Sequence, residues 1–133
     1  MSNDISGRVL GVGGVFFRSK DPARLGDWYA EHLGFDIEVL GENRGASFFP
    51  LEMPKGAFTV WGAFESGTEY FGTSGQGFMI NLVVDDLDAA LARVTSGGAT
   101  VLEEREEDDF GRFGWFVDPD GNRVELWEPP RPK

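Results

Sequence analysis

The sequence predicts an α+β fold built from two βαβββ modules, and three observations carry that expectation. The second half repeats the first at an offset of about 64 residues. Each half passes from an apolar stretch through an acidic helix start into a helix that stops at glycine, and several short apolar runs separated by turn residues follow each helix. Two landmarks give nearly the same offset, Asp21 mapping onto Asp86 and Gly34 onto Gly98.

In the first half, Val12 to Arg18 reads as a strand with Val12, Gly14, Phe16 and Arg18 on one face. Asp21 caps the helix that follows, and Pro22 occupies the first helical position, where a missing N–H costs least. Leu25, Trp28, Tyr29 and Leu33 form one apolar stripe along it, which requires a sheet to cover. Candidate strands follow at Phe35 to Leu40, Ala46 to Leu51 and Ala57 to Phe64. The Gly-, Ser- and Thr-rich stretch from Glu65 to Gly77 connects the halves, so one domain over 1–133 divides into a module at about 8–65, a linker at about 66–77 and a module at about 78–128.

The second module repeats the order. A strand at Phe78 to Val84 precedes a helix from Leu87 to Thr95 whose stripe is Leu87, Ala90, Leu91 and Val94. Strands are expected near Thr100 to Glu103, Arg112 to Val117 and Asn122 to Trp127. The run Glu103 to Asp109, with six acidic residues and one arginine, is expected to be a solvated loop. Asp118-Pro119-Asp120-Gly121-Asn122 reads as a tight turn, with Pro119 presetting φ and Gly121 free to take a positive one.

Composition narrows the function. At 133 residues, 41% of them hydrophobic and 14% aromatic, the chain is large enough for a core and too short for two ordinary domains. Without cysteine there is no disulfide framework, thiolate metal site or cysteine nucleophile. A net charge of −11, from 23 acidic and 12 basic residues, opposes binding to nucleic acid or anionic membranes and attracts cationic ligands. Met1 to Gly7 is polar, and no apolar run approaches the roughly 18 residues of a membrane span, so a cytoplasmic location is expected.

The paired βαβββ pattern, "DWYAEHLGF" at the end of the first helix and "WFVDPDGNRVELWEP" near the end of the chain together resemble the vicinal oxygen chelate superfamily, which includes glyoxalase I, extradiol dioxygenases and bleomycin-resistance proteins. The resemblance covers residues 8–128 and implies a U-shaped mixed sheet around a cleft, helices outside, and a homodimer. In metal-dependent members it also implies ligands on the first and last strand of each module, at places that align here with Gly14, Trp61, Met79 and Glu125. Only Glu125 can bind a hard cation: glycine has no donor, tryptophan offers only an N–H, and methionine prefers soft metals. No metal or other cofactor is therefore expected, and the single histidine, His32, reads as an edge residue at the end of the first helix.

Alternation from those positions predicts a concave face lined by Phe16 and Arg18, by Thr59, Trp61 and Ala63, by Met79, Asn81 and Val83, and by Arg123, Glu125 and Trp127, with Phe113 and Trp115 beside them. Such a face can stack a flat or apolar ligand, possession of a cation being favoured by the net charge, or its aromatics can fill the cleft as a second core; both alternatives stand. Glu125 can serve as a general acid or base, or simply pair with an arginine or an indole N–H. The expected function is metal-independent binding of a small molecule, in the manner of bleomycin-resistance proteins. A lyase or isomerase using Glu125 as catalytic base, with Arg18 or Arg123 at an oxyanion, is the alternative. A metal-dependent enzyme drawing on Glu52, Glu65 and Glu69 is the third.

Overall fold

The computed structural model describes residues 6–8, 10, 12 and 14–130. Residues 1–5, from the polar N-terminal stretch, and Gly13 of the first expected strand lie outside the described residues.

Both helices form where the sequence places them. α1 spans Pro22–Leu33 and α2 spans Leu87–Ser96. The repeat is visible in their caps: the Asp21 side chain accepts from the Arg24 N–H at 3.1 Å, and the Asp86 side chain from the Ala89 N–H at 3.0 Å. Each aspartate satisfies an amide that the first turn leaves without a partner.

The second half completes a βαβββ unit. β3 (Ile80–Val83) lies parallel to β7 (Arg123–Glu128), which pairs antiparallel with β6 (Gly111–Val117), which in turn pairs with β4 (Thr100–Val101). The Asp118 turn joins β6 to β7 as expected, with Gly121 at φ 84°. Asp118 holds this turn to α1, since one carboxylate oxygen accepts the Asp120 and Asn122 N–H groups and the other accepts the Tyr29 hydroxyl at 2.9 Å.

Packing follows the predicted stripes. Leu25 and Tyr29 from α1 and Leu87, Ala90, Leu91 and Val94 from α2 bury against Phe116, Val124 and Leu126 on one face of the sheet, while Trp28 and Leu33 pack at the margin. Full burial of a large apolar side chain contributes about 1.5–3 kcal/mol, so these positions dominate the fold. The helices also touch directly: Trp28 Nε1 donates to the Gly97 carbonyl at 2.9 Å and Arg93 Nε to the His32 carbonyl at 2.8 Å. His32 lies at this edge, its ring against Trp28 and Gly97. No helix among the described residues is long and apolar enough to cross a membrane.

Two expectations need correction. The acidic run is not wholly a loop, because Glu106–Asp108 forms β5, an exposed strand antiparallel to β6. Backbone pairing needs no apolar side chain, and the Asp108 carboxylate closes the hairpin by accepting the Phe110 N–H at 2.7 Å. In the first half, β1 (Glu38–Leu40) and β2 (Asn43–Gly45) make a separate two-stranded hairpin, and among the described residues neither those of the Val12 to Arg18 stretch nor Ala57 to Phe64 form a ladder. Nor does Ala46 to Leu51 form a strand. Pro50–Glu52 turns into a 3₁₀ helix, and the Ala57 N–H closes a turn on the Pro54 carbonyl at 3.0 Å. Prolines at 50 and 54 offer no ladder N–H, which suits this stretch to turns rather than to a place inside a sheet.

Candidate functional site

The face of the second-module sheet opposite the core gathers most of the residues that alternation selects. The β6–β7 register sets Phe113 beside Trp127, Trp115 beside Glu125 and Val117 beside Arg123. β3 adds Asn81 opposite Glu125 and Val83 opposite Trp127. Cross-strand partners share a face, so two indoles, a phenyl ring, a carboxylate and an amide form one surface. Phe113 and Trp127 lie parallel, with ring centroids 6.2 Å apart and 4° between planes.

Glu125 is the polar centre of this face. It is only 8% exposed, and burying a carboxylate is costly unless its lone pairs find donors. Asn81 Nδ2 donates to Oε1 at 2.6 Å, and Trp115 Nε1 donates to Oε2 at 3.0 Å. The Tyr70 hydroxyl donates to the same Oε2. Hydrogen bonds to a charged acceptor each contribute about 1.5–3 kcal/mol, which offsets the desolvation.

Tyr70 comes from the linker, where the sequence suggests only Glu65 and Glu69, as ligands of a metal-dependent alternative. The available signal is the Tyr70-Phe71 doublet, two large aromatics in a stretch otherwise rich in Gly, Ser and Thr. Phe64 stacks on Tyr70 at 5.5 Å and 16°, and Tyr70 meets Trp115 edge-on at 6.0 Å and 87°. Phe58 covers Trp127 at 5.2 Å. With these rings in place Trp115 and Trp127 are 4% and 5% exposed, so the aromatic face is covered. Two hollows elsewhere lie around Glu31, His32 and Arg93 and beside Trp28 and Pro119, away from Glu125.

The linker is tied to β7 at several points. The Gln76 amide brackets the Arg123 backbone, accepting its N–H at 2.7 Å and donating to its carbonyl at 3.1 Å. The Arg123 guanidinium donates through Nη1 to the Tyr70 carbonyl at 3.2 Å, while its buried Nε has no partner among the described residues. Arg123 therefore positions the linker.

Burial, and then the bond to Glu125, push the Tyr70 phenol above its ordinary range; burial and Asp118 do the same for Tyr29. These are the only two tyrosines. A folded state that holds a phenolic proton more tightly than the unfolded chain gains a contribution that is complete below the ordinary value of about 10 and lost as pH rises beyond it. In a spectrophotometric alkaline titration, tyrosinate should thus appear together with unfolding; half of the signal appearing at the ordinary value, before any unfolding, would show one phenol to be free.

Asn81, Phe113, Trp115, Arg123, Glu125 and Trp127 therefore come together, and Met79 stands partly buried just before β3. Phe16, Arg18 and Trp61 do not join them. They lie on the unladdered segments, Phe16 at 96% and Trp61 at 80% exposure, with Thr59 and Ala63 likewise exposed. The donor set does not fit a divalent cation. Gly14, Trp61 and Met79 supply no hard ligand, and both Glu125 oxygens already accept side-chain donors. Among the described residues no three His, Cys, Asp or Glu side chains gather into a possible metal site, and Glu52, Glu65 and Glu69 stand exposed.

Comparison with known proteins places this geometry. A family model described as a glyoxalase-like domain matches residues 14–127. The crystal structure of TnmS3, an antibiotic binding protein from Streptomyces sp. CB03234, is similar with 29% identity and a TM-score of 0.51, over 84% of this chain and 89% of that one. A member of the glyoxalase/bleomycin resistance protein/dioxygenase superfamily from Sphaerobacter thermophilus DSM 20745 is similar in fold, with 24% identity and a TM-score of 0.51 over 91% and 98% of the two chains. A hypothetical protein of S. aureus shares the fold at 17% identity and a TM-score of 0.53, over 82% and 86%. No curated protein sequence matches the chain.

Proposed function

The chain belongs to the glyoxalase-like domain family, and we propose that it is a metal-independent member that binds a small aromatic or apolar molecule on the face of Phe113, Trp115, Glu125 and Trp127. The observation that carries this reading is the Glu125 carboxylate, held by Tyr70, Asn81 and Trp115 at the centre of an aromatic surface. A general base needs a lone pair aimed at a substrate proton, whereas this carboxylate is occupied by donors that fix its orientation. Indoles and a phenyl ring supply stacking area, and one anchored acceptor supplies direction, the usual division of labour in a ligand site. The similarity to a protein described as antibiotic-binding supports a binding role, and the net charge of −11 favours a ligand with cationic character.

Glu125→Gln separates binding from catalysis. The glutamine oxygen can still accept from Tyr70 and Trp115, and the Asn81 amide can turn its own oxygen toward the new NH₂, so the fold should lose only about 1 kcal/mol. A neutral probe such as a naphthol, followed by tryptophan fluorescence, should bind wild type and variant with affinities within about threefold, a difference under about 1 kcal/mol. A chemical conversion of bound ligand that the variant abolishes would instead support a lyase or isomerase with Glu125 as base.

A homodimer belongs to the same reading. Segments 14–18 and 57–64 have no ladder partners among the described residues and expose Phe16, Val60 and Trp61. Unpaired strand backbone beside exposed apolar side chains is the surface that a second copy can complete. Light scattering at micromolar concentration should give twice the chain mass, and Trp61→Asp should shift it toward one; a monomeric wild type would contradict the dimer.

A further inference from the structure

The ring over Glu125 belongs to the chain itself, and its surroundings describe what the site recognises. Tyr70 presents a flat apolar ring with one hydroxyl. Phe64 stacks on its face, Trp115 meets it edge-on, and its hydroxyl donates to a carboxylate that, among the described residues, is otherwise held only by Asn81 and Trp115. Removing that ring would uncover Trp115 and leave a lone pair of Glu125 without its third donor in an apolar setting, an arrangement that favours an incoming aromatic donor.

We infer that Tyr70 is a built-in occupant of the binding site, and that the ligand is a phenol, an aromatic ring bearing a hydroxyl, which displaces the Tyr70 ring and donates to Glu125 in its place. This rests on the proposed binding function and adds to it a ligand class and a gate. The gate is local. Tyr70 sits in a short turn closed by the Gly72 N–H on the Glu69 carbonyl at 3.0 Å, and its own N–H is held by the Thr68 hydroxyl at 3.2 Å. The same linker is fixed to β7 farther on through Gln76, so the turn can swing out, its end still anchored, once the Tyr70 carbonyl gives up its bond from Arg123 Nη1. Closure lowers apparent affinity by the fraction of time the site is open, so deleting the ring should tighten binding.

The test compares wild type, Tyr70→Ala and Tyr70→Phe against a naphthol, naphthalene and naphthylmethylammonium. The naphthol should bind Tyr70→Ala at least about tenfold more tightly than wild type, and naphthalene should bind that variant at least about tenfold more weakly than the naphthol. Tyr70→Phe keeps the ring and loses the bond to Glu125, so its naphthol affinity should fall between the other two. Should Tyr70→Ala not fold, hydrogen exchange on wild type gives an independent reading: saturating naphthol should speed exchange of backbone amides at 68–72. Equal naphthol affinity in wild type and Tyr70→Ala, equal binding of naphthol and naphthalene, slower exchange at 68–72, or a tenfold preference for the ammonium would each overturn the inference. Binding that ignores Tyr70 and the hydroxyl would defeat the gate and the phenol class but leave the binding function standing. No binding of any probe to any form would defeat both.

Discussion

Phe116→Ala is expected to lower stability to urea unfolding by about 3–5 kcal/mol, out of the roughly 5–15 kcal/mol that holds a domain of this kind together. Phe116 is fully buried on the core side of β6. Its ring packs against Trp28 at 5.8 Å and 28° and against Tyr29 at 6.4 Å, both on α1, while its strand neighbours are Val124 on β7 and Val101 on β4. One side chain thus joins the helix of the first half to the sheet of the second. Truncation removes transfer energy and leaves a cavity that two helices and a sheet cannot close together. Phe113→Ala, three residues earlier and on the opposite face, should cost less, because its ring is partly exposed and lies over Trp127. A Phe116→Ala loss below about 1 kcal/mol would mean that the two halves do not share this core.

Gly111→Ala should be comparably severe, at about 3 kcal/mol or more, although it adds a single methyl group. Gly111 opens β6 at φ 122°, a region that side-chain-bearing residues rarely adopt. A β-carbon there would overlap the Glu128 carbonyl oxygen and approach Trp127 Nε1 at 3.0 Å. No rotamer relieves a clash with backbone. The displacement would reach two functions of this corner: Trp127 Nε1 donates to the Phe110 carbonyl at 2.6 Å, and the Glu128 carboxylate accepts the Leu87 N–H at 2.7 Å at the start of α2. A destabilised variant with weakened binding of aromatic probes is the expected result. Wild-type stability by thermal melting would show that the β6–β7 end can shift freely.

The second module was almost wholly legible because its signals are local and agree with one another. Asp86 caps a helix whose stripe buries at Leu87, Ala90, Leu91 and Val94, and the alternation of Phe113, Trp115, Glu125 and Trp127 selects one face of two strands paired through a tight turn. The glyoxalase-like relationship followed from the C-terminal motif of this module together with the first-helix motif and the pairing of the two halves. The first module was legible in its helix and less so in its strands. Phe16 and Trp61 carry strand-like alternation, but a strand exists only when another backbone completes its ladder, and the stretch between them turns at Pro50 and Pro54 instead of pairing. β5 was missed for the complementary reason, since its pairing is made by backbone while its side chains are acidic and exposed. Tyr70 was missed because a turn residue 55 positions from Glu125 in sequence has no periodicity that points to it. Its contact is set by where the linker crosses the sheet.

Titrating chelator-treated wild-type protein with a naphthol and with naphthylmethylammonium decides whether the aromatic site binds a small molecule without a metal. Tryptophan fluorescence reports binding, since Trp115 and Trp127 are two of the four tryptophans and both lie on the proposed face. Saturable binding of at least one probe at one per chain, unchanged by added divalent ions and with the probe recovered chemically intact, is the expected result. Binding that appears only when a divalent ion is restored, or a probe returned as a different compound, would contradict it.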